Sequence, residues 1–396
     1  MGTSRNKGVV GVLTGGGDVP GLNPAIRGVT MRAIKDGYSV IGIKNGWEGL
    51  INIHRDRKIE EQEYCRPLSI LDVENITTIG GTILHSSRTN PISIKRNKVP
   101  EHLRDKFFAD NNDLTSEVLK NLEYLGITHL IPIGGDDTLS FAVHLHKQGL
   151  NVIAIPKTMD NDIPGTDSCL GYSTCLTRTV DLCYQLRTCA YSHQRFLVLE
   201  AFGRYAGFTA LVPTIAGAAD RCVIPEFQFD IRKLTQLLVE DRNRNPGKFS
   251  VVLVSEGAMF EGGHMIFQDQ DTDGFGHKKL GGIGELVGNQ LKKFSAEFNK
   301  GKSVEVINQR LGYLVRSGNP DAMDSILGAA YGNLAMELIE QHKSGLMVCL
   351  NNGHYDSVAI ETIISYKKLI DVEKFYDKER YRPLYKNFNL RSMWVA

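Results

Sequence analysis

Two short apolar runs, each followed at once by a group of acids, constrain the fold of this chain most strongly. Residues 129–133 lead into GGDDT at 134–138, and residues 151–155 lead into PKTMDND at 156–162. Apolar runs of this length predict buried strands that end where the acidic motifs begin. Ligands of open α/β sheets bind at the carboxyl ends of the strands, so the pattern predicts a charged site at one sheet edge.

The concentration of carboxylates at these strand ends indicates a metal and phosphate site. The two motifs bring four aspartates, one lysine and two glycines to neighbouring strand ends. Like charges close together are unfavourable unless a cation neutralises them, and Mg²⁺ prefers carboxylate, water and phosphate oxygens. A Mg²⁺–phosphate site is therefore the simplest explanation of the acids.

Strands and helices alternate along much of the remaining chain. The apolar runs 8–13, 40–43, 196–200 and 250–254 are predicted strands, and residues 174–190 are a predicted helix. This alternation is typical of parallel βαβ units. A chain of 396 residues is too long for one simple core and is suited to two α/β lobes.

The composition excludes several classes of partner. A net charge of +1 gives no electrostatic case for binding nucleic acid or an anionic membrane. No run approaches the roughly 20 apolar residues of a membrane helix, and the first residues lack the apolar core of a signal peptide. We therefore expect a cytoplasmic protein. Seven cysteines without a CxxC pair predict buried, reduced thiols.

Seven motifs in order carry a resemblance to the phosphofructokinase family, and within it to the pyrophosphate-dependent branch. The resemblance covers about residues 8–340. It implies two Rossmann-like lobes with parallel-rich sheets and an active site in the cleft between them. The motifs are GVLTGGGD (11–18), GGDDT (134–138), PKTMDND (156–162), SHQR (192–195), EAFGRYAG (200–207), SEG (255–257) and LGYLVRSG (311–318).

The family resemblance also predicts how the chain divides. Residues 1–168, with about 317–345, would form a lobe that binds the phosphoryl donor and Mg²⁺. Residues 169–316 would form the lobe that binds the sugar phosphate, and residues 346–396 a C-terminal extension. The chain would cross between the lobes more than once.

The resemblance implies a set of donor-binding residues at the first lobe. Gly17 matches the phosphate cradle, where glycine lets backbone amides approach an anion. Asp136 matches the acid that binds Mg²⁺, and Arg88 matches an arginine that bridges the transferred phosphoryl group. Thr138 is expected to contact the donor as well.

Two further residues are expected to select diphosphate over ATP. ATP-using relatives usually have glycine at the position of Asp137, and a carboxylate there adds bulk and like charge. Two unit charges about 4 Å apart repel by roughly 4 kcal/mol at an effective dielectric near 20, which is about three orders of magnitude in affinity. Lys157 can hold diphosphate as a point charge, although some ATP users carry a lysine there too.

The resemblance assigns the chemistry to the second motif and to one arginine. Asp160 matches the general base that accepts the proton of the sugar C1 hydroxyl. Thr158 and Asp162 would position substrate and metal. Lys157 and the guanidinium of Arg204 would stabilise charge on the transferred group.

The sugar-phosphate site carries the one clear departure from the family. An arginine is usual six residues before Tyr313, where this chain has Ile307, and Arg310 is out of register. Arg195 would reach across a subunit interface, which implies a homodimer or homotetramer. The substrate-binding residues that the resemblance implies are Thr158, Asp160, Arg195, Phe202, Gly203, Arg204, Glu256, Tyr313 and Arg316, with Phe202 replacing the family methionine.

The sequence therefore predicts a Mg²⁺-dependent phosphotransferase that moves a phosphoryl group from diphosphate to fructose 6-phosphate, reversibly. An ATP-dependent enzyme of the same fold is one alternative. Ile307 leaves a second open, in which sedoheptulose 7-phosphate is an additional or main acceptor. A silent regulatory subunit is a third, against which the intact Asp136, Asp160, Asp162 and Arg204 argue.

Overall fold

Two parallel-rich β-sheets, each with its own helices, make up most of the protein. The computed structural model describes residues 7–272 and 278–386. Most predicted elements are present, with ends shifted by one to three residues. The strands in chain order are β1 (Val9–Thr14), β2 (Ser39–Ile43), β3 (Cys65–Pro67), β4 (Ile94–Lys95), β5 (Asn111–Asn112), β6 (Ile127–Gly134), β7 (Ile153–Pro156), β8 (Phe196–Ala201), β9 (Arg221–Val223), β10 (Ser250–Ser255), β11 (Phe267–Thr272), β12 (Lys278–Leu280), β13 (Val306–Arg310), β14 (Leu346–Asn351), β15 (His354–Ala359), β16 (Tyr376–Asp377) and β17 (Arg382–Pro383).

The helices lie mostly between consecutive parallel strands, as βαβ units require. The α-helices in chain order are α1 (Leu22–Lys35), α2 (Gly46–Ile51), α3 (Ile70–Val73), α4 (Thr115–Tyr124), α5 (Asp136–Lys147), α6 (Tyr172–His193), α7 (Phe208–Ile215), α8 (Ile231–Arg244), α9 (Ile283–Phe298), α10 (Ala322–Glu340) and α11 (Val372–Phe375). Short 3₁₀ helices occur at Ile59–Glu61, Arg96–Lys98, Glu101–Leu103, Gly312–Val315 and Ile360–Ile364. Among the described residues, no helix combines the length and the apolarity needed to cross a membrane.

The first sheet has the strand order β15-β14-β7-β6-β1-β2-β3. Its five inner strands are parallel, and β3 and β15 pair antiparallel at the two edges. Helices α1, α4, α5 and α10 pack against it. Because β6 and β7 are direct neighbours, the two acidic motifs that follow them emerge side by side.

The second sheet has the order β13-β8-β10-β9, and all of its strands are parallel. Helices α6, α7, α8 and α9 pack against it. Its central strands, β8 and β10, are buried along their whole length, which explains their continuous apolar sequence. The chain therefore folds as two Rossmann-like α/β lobes, and this prediction is confirmed.

The end of the chain belongs to both lobes. Strands β14 and β15 complete the edge of the first sheet, so the predicted start of the extension at residue 346 falls inside that sheet. Farther on, the Tyr376 hydroxyl donates to the Cys222 carbonyl at 2.7 Å, and the Cys222 amide donates to the Tyr381 carbonyl at 2.9 Å, on the second lobe. The domain division stays a prediction, and its residues 1–6 and 387–396 lie outside the described ranges.

All seven cysteines are free thiols, as their spacing predicted. Six are buried and only Cys189 is exposed. Burial raises the pKa of the Cys65 thiol to about 11, because a thiolate loses its hydration there. The six buried cysteines therefore act as small apolar side chains in the two cores, whereas the predicted burial is wrong for Cys189.

Candidate active site

A cleft between the two lobes collects nearly all of the predicted site residues. Its empty space, together with part of the adjoining solvent, is about 920 Å³. The predicted residues that line it are Gly17, Arg88, Asp136, Asp137, Thr138, Lys157, Thr158, Asp160, Asp162, Phe202, Arg204, Glu256 and Arg316.

The turn after β1 forms one wall of the cleft and is held by backbone hydrogen bonds. The Gly16 amide donates to the Ser87 carbonyl at 2.9 Å, and the Ser86 hydroxyl donates to the Gly16 carbonyl at 2.6 Å. These bonds fix the loop that carries Arg88 against the glycine turn. As a result, Gly17 and Arg88 share the same wall.

The glycines before Asp136 are required by close packing around Thr138. A Cβ atom on Gly134 would lie 2.4 Å from the Thr138 Cβ, and one on Gly15 would lie 2.6 Å from its Oγ1. Thr138 is 1% exposed, and its carbonyl accepts a 3.2 Å hydrogen bond from the Trp47 indole. The two glycine turns therefore come together over one buried threonine at the first turn of α5.

Lys157 lies between these turns with its ammonium at the floor of the cleft. It is only 4% exposed, and its Nζ donates to the Gly17 carbonyl at 2.7 Å. Burial, with smaller effects of Arg316 and Arg88, lowers the pKa of Lys157 to about 8. The side chain still carries its proton at pH 7 and offers a desolvated positive charge to an anion.

Asp160 connects the two lobes at the centre of the cleft. Its Oδ2 accepts a 3.2 Å hydrogen bond from the backbone amide of Arg204, which follows β8 in the second lobe. Burial, and then the nearby charges of Asp162 and Glu256, raise the pKa of Asp160 well above the usual carboxylate value. A carboxylate with a raised pKa is a stronger proton acceptor, which suits a general base.

Arg204 and Glu256 are held together by tight backbone packing. The Gly257 amide donates to the Gly203 carbonyl at 3.1 Å, and a Cβ atom on Gly257 would lie 1.9 Å from the Arg204 carbonyl oxygen. Gly203 has φ of 117°, a conformation that favours glycine. Gly203 thus shapes the loop that carries Arg204, although Gly203 itself does not line the cleft.

Glu256 is a buried acid close to two arginines. Burial raises the pKa of its carboxyl to about 7, although the charges of Arg204 and Arg310 oppose this. Arg310 Nη2 lies 3.8 Å from the Glu256 Oε2, and Arg310 Nε lies 3.2 Å from the Glu200 Oε1. Ile307 instead packs against the core, so β13 brings a guanidinium near the cleft through Arg310.

Two predicted sugar-phosphate residues do not reach the cleft in the single chain. Tyr313 is 74% exposed, and Arg195 follows the end of α6 at the surface. Arg316, which was predicted to share their role, pairs with Asp18 and lies against Gly17 instead. The sugar-phosphate roles of these three residues stay predictions.

The acids fit a Mg²⁺ ion that brings most of its own ligands. Among the described residues, no three His, Cys, Asp or Glu side chains converge on a common metal position. Asp136 begins α5, and its charge contributes, after burial, to raising the pKa of Asp162. Mg²⁺ is commonly bound by one or two carboxylates together with waters and phosphate oxygens, and this pair fits that arrangement.

Sequence reasoning missed two residues that line the cleft and a third beside them. Lys367 and Tyr205 line it, and Lys367 Nζ lies 3.2 Å from the Asp136 Oδ2. Lys368 is held just beneath, where its Nζ donates to the Thr166 carbonyl at 2.8 Å. Tyr205 lies inside a recognised motif, but the lysines belong to a segment without one.

Comparison with known proteins places this geometry in a family. The family model for phosphofructokinase matches residues 9–339. The chain therefore belongs to the phosphofructokinase family, and it is an enzyme of that family by its sequence as well as its fold.

The similar curated proteins have two kinds of name. The pyrophosphate–fructose 6-phosphate 1-phosphotransferase of Dictyoglomus thermophilum is 38% identical over 380 residues, covering 93% of this chain and 99% of the relative. The ATP-dependent 6-phosphofructokinase 2 of Clostridium perfringens is 36% identical over 371 residues, covering 92% and 94%. These relatives therefore agree on the family, but their names differ in the phosphoryl donor.

Solved structures show the same fold. The pyrophosphate-dependent phosphofructokinase of Marinobacter aquaeolei superposes with a TM-score of 0.73 at 18% identity, covering 98% of this chain and 92% of that one. Phosphofructokinase of Pichia pastoris in the T-state also gives 0.73 at 23% identity, covering 91% of this chain. This chain spans about a third of the Pichia chain's length, because 36% of that chain is matched.

Proposed function

We propose that this enzyme transfers a phosphoryl group from diphosphate to the C1 hydroxyl of fructose 6-phosphate. The C1 oxygen forms a bond to the terminal phosphorus, the bridging P–O bond breaks, and orthophosphate leaves as fructose 1,6-bisphosphate forms. The hydroxyl proton passes to Asp160. Both directions are chemically accessible, because a phosphate ester and free phosphate are produced and no nucleotide anhydride is spent.

The observation that carries the choice of donor is the carboxylate of Asp137 in the cleft wall. It follows Asp136 in the first turn of α5 and lines the cleft with the glycine turn and Lys157. A nucleotide's inner phosphate that met this carboxylate would be repelled, whereas diphosphate is short enough to end before it. The relative named as a pyrophosphate-dependent enzyme at 38% identity supports the same donor.

The side chains of the cleft divide the work of phosphoryl transfer. Lys157, with its ammonium at the Gly17 carbonyl, would hold the diphosphate, and Arg88 and Arg204 would stabilise charge on the transferred group. Asp160 would accept the proton, and Glu256 would accept a hydrogen bond from a sugar hydroxyl. Mg²⁺, held by Asp136 with Asp162 nearby, would supply positive charge to the phosphate oxygens.

A second copy of this chain would complete the binding site for the sugar phosphate. Arg195 is partly exposed and away from the cleft of its own chain. An arginine in that place can serve a neighbouring cleft in a homodimer or homotetramer, where its fork can bind a phosphate bidentately.

Two alternatives have specific support. Relatives named ATP-dependent, such as the one at 36% identity, favour ATP as donor. Position 307 is isoleucine where the family usually has an arginine, which favours a broader acceptor site that takes sedoheptulose 7-phosphate.

A donor-by-acceptor activity matrix tests the proposal. Purified protein is assayed with Mg²⁺ and either diphosphate or ATP, against fructose 6-phosphate or sedoheptulose 7-phosphate. We expect the highest kcat/KM for diphosphate with fructose 6-phosphate. Turnover with ATP and none with diphosphate would overturn the donor, and preference for the seven-carbon sugar would overturn the acceptor.

A further inference from the structure

A short C-terminal segment crosses the cleft from one lobe to the other. This segment, residues 365–370, is called the strap below. The Lys368 amide donates to the Asp162 carbonyl at 3.1 Å, directly behind the acids of the first lobe. Two residues later, the Ile370 amide donates to the Glu226 carboxylate of the second lobe at 2.9 Å. The strap is therefore fixed on both sides of the cleft.

Lys368 anchors the strap and does not enter the cleft. Its Nζ donates to the carbonyls of Thr166 and Asp167, at 2.8 and 3.0 Å, and lies 5.3 Å from the Phe208 ring centroid. A buried ammonium with two carbonyl acceptors holds the backbone in one place. Because Lys368 is fixed, the preceding residue has a defined direction.

Lys367 points from the strap into the acid-rich end of the cleft. Its Nζ lies 3.2 Å from the Asp136 Oδ2 and 4.3 Å from the Tyr205 ring centroid. Both side chains of the ion pair are 45% exposed. An ion pair this exposed contributes little to folding stability, so stability does not explain why an ammonium is held here.

The ammonium is placed where phosphate oxygens of a donor would be. Asp136 is the predicted Mg²⁺ ligand, and Lys157 and Arg88 line the same cleft. An ammonium has three donors, and one carboxylate oxygen leaves two of them available to an anion. Lysine is also a flexible point charge, which can follow phosphate oxygens as they move during transfer.

We propose that Lys367 is a donor-binding residue of the phosphoryl-transfer site. It pairs with Asp136 in the free protein and contacts an oxygen of the donor's phosphate groups when the donor is bound. The identity of that donor as diphosphate rests on the function proposed above. A residue beyond the stretch matched by the family model thereby completes the donor side of the cleft.

Direct binding and kinetics on matched variants test this role. Lys367→Met removes the charge and keeps the length, and Lys367→Arg keeps the charge. As a control, Lys378→Met removes a lysine that follows the strap and pairs with Glu373 away from the cleft. The dissociation constant of diphosphate with Mg²⁺ is measured by calorimetry without acceptor, and both KM values are measured in the assay.

We expect Lys367→Met to weaken diphosphate binding and raise the donor KM about tenfold, as loss of a charge-assisted hydrogen bond does. The acceptor KM should change less than twofold, Lys367→Arg should recover most of the loss, and Lys378→Met should match wild type. Unchanged diphosphate binding in Lys367→Met would overturn the inference, as would an equal rise in both KM values.

The proposed function can fail separately. Wild-type protein that binds and uses ATP, and not diphosphate, overturns the donor assignment alone. The same three variants are then titrated with ATP and Mg²⁺, and an unchanged dissociation constant for Lys367→Met would overturn the role of Lys367 as well.

Discussion

The residues proposed to bind the donor line the cleft within one chain, whereas some of those proposed to bind the acceptor do not. Of these, Gly17, Lys157 and Asp136 follow three neighbouring strand ends of the first sheet and line the same cleft. On the acceptor side, Arg204 and Glu256 are in place, but Arg195 and Tyr313 lie outside the cleft.

The difference teaches how each side is built. Neighbouring parallel strands deliver their carboxyl ends to one edge, so a site made of such ends needs only the sheet. The proposed sugar-phosphate site would also use Arg195 beyond the end of α6, which the sheet does not bring inward. Asp160, bonded to the Arg204 amide, is the point where the two sides meet.

Removing the base should have the largest effect on either side. We expect Asp160→Asn to lower kcat by about 10²- to 10⁴-fold, because the amide cannot accept the C1 proton. Both KM values should change little, since the group acts in the chemical step. Steady-state kinetics with diphosphate check this, and Asp181→Asn on the exposed face of α6 serves as the control. Full activity in Asp160→Asn would show that the base lies elsewhere.

Altering Asp137 probes the donor side alone. We expect Asp137→Gly to raise the ratio of kcat/KM for ATP to that for diphosphate, by up to about 10³-fold if charge repulsion at an effective dielectric near 20 sets the exclusion. Asp137→Asn removes the charge and keeps the size, so it separates repulsion from bulk. The acceptor KM should stay constant in both. If the ratio of kcat/KM for ATP to that for diphosphate is unchanged in Asp137→Gly, the Asp137 carboxylate does not select the donor.

Mixing two variants, each defective when the acceptor is far below saturation, probes the acceptor side under that condition. We expect Arg195→Ala to raise the acceptor KM about 10- to 100-fold, as loss of a charged hydrogen bond to phosphate does. If Arg195 serves the partner's cleft, co-expressing Arg195→Ala with Asp160→Asn should restore activity to about a quarter of wild type in a random dimer mixture.

The restored activity would come from one intact cleft in each hybrid dimer. That cleft has its own Asp160 and receives Arg195 from the other subunit. Arg195 acting in its own chain would leave both clefts of the hybrid defective, and the mixture would then show no more activity than the parent proteins.

Glu256 should give the acceptor side a modest pH dependence. Its pKa is raised to about 7, so the carboxyl is protonated below that pH and ionised above it. A carboxylate accepts hydrogen bonds from sugar hydroxyls better than a neutral acid does, so the acceptor KM should fall as pH rises through about 7, by up to roughly tenfold.

Comparison with Glu256→Gln isolates this effect. Titration of the sugar phosphate itself is common to both proteins, whereas the variant has no ionisable group at position 256. Acceptor KM profiles between pH 6 and 8 should therefore differ in slope. Parallel profiles would exclude Glu256 from the pH dependence.

Much of the donor side could be predicted because it depends on local patterns. Apolar runs marked β6 and β7, and a general property of parallel sheets placed the motifs after them at one edge. The glycines of these motifs were recognised from the sequence. The sequence did not reveal why glycine is needed there, which is that Gly15 and Gly134 pack closely against Thr138. That contact depends on side-chain volumes in three dimensions.

The acceptor side was predicted less completely for a physical reason. The motif with Tyr313 and Arg316 was recognised as a unit, yet in the fold Tyr313 is exposed while Arg316 pairs with Asp18, 298 residues earlier. Similarly, Arg310, which directly precedes this motif, approaches Glu256 although the motif predicted no such contact. Neighbours in sequence can thus face different sides of a cleft.

The sequence by itself determined two α/β lobes, the family and the acids at adjoining strand ends, because short-range periodicity and ordered motifs encode them. Only the tertiary structure decided that the strap crosses the cleft and sets Lys367 beside Asp136. These residues are 231 positions apart, and no local pattern records such a contact. It exists because the chain leaves the first sheet at β15 and must pass the cleft to reach the second lobe.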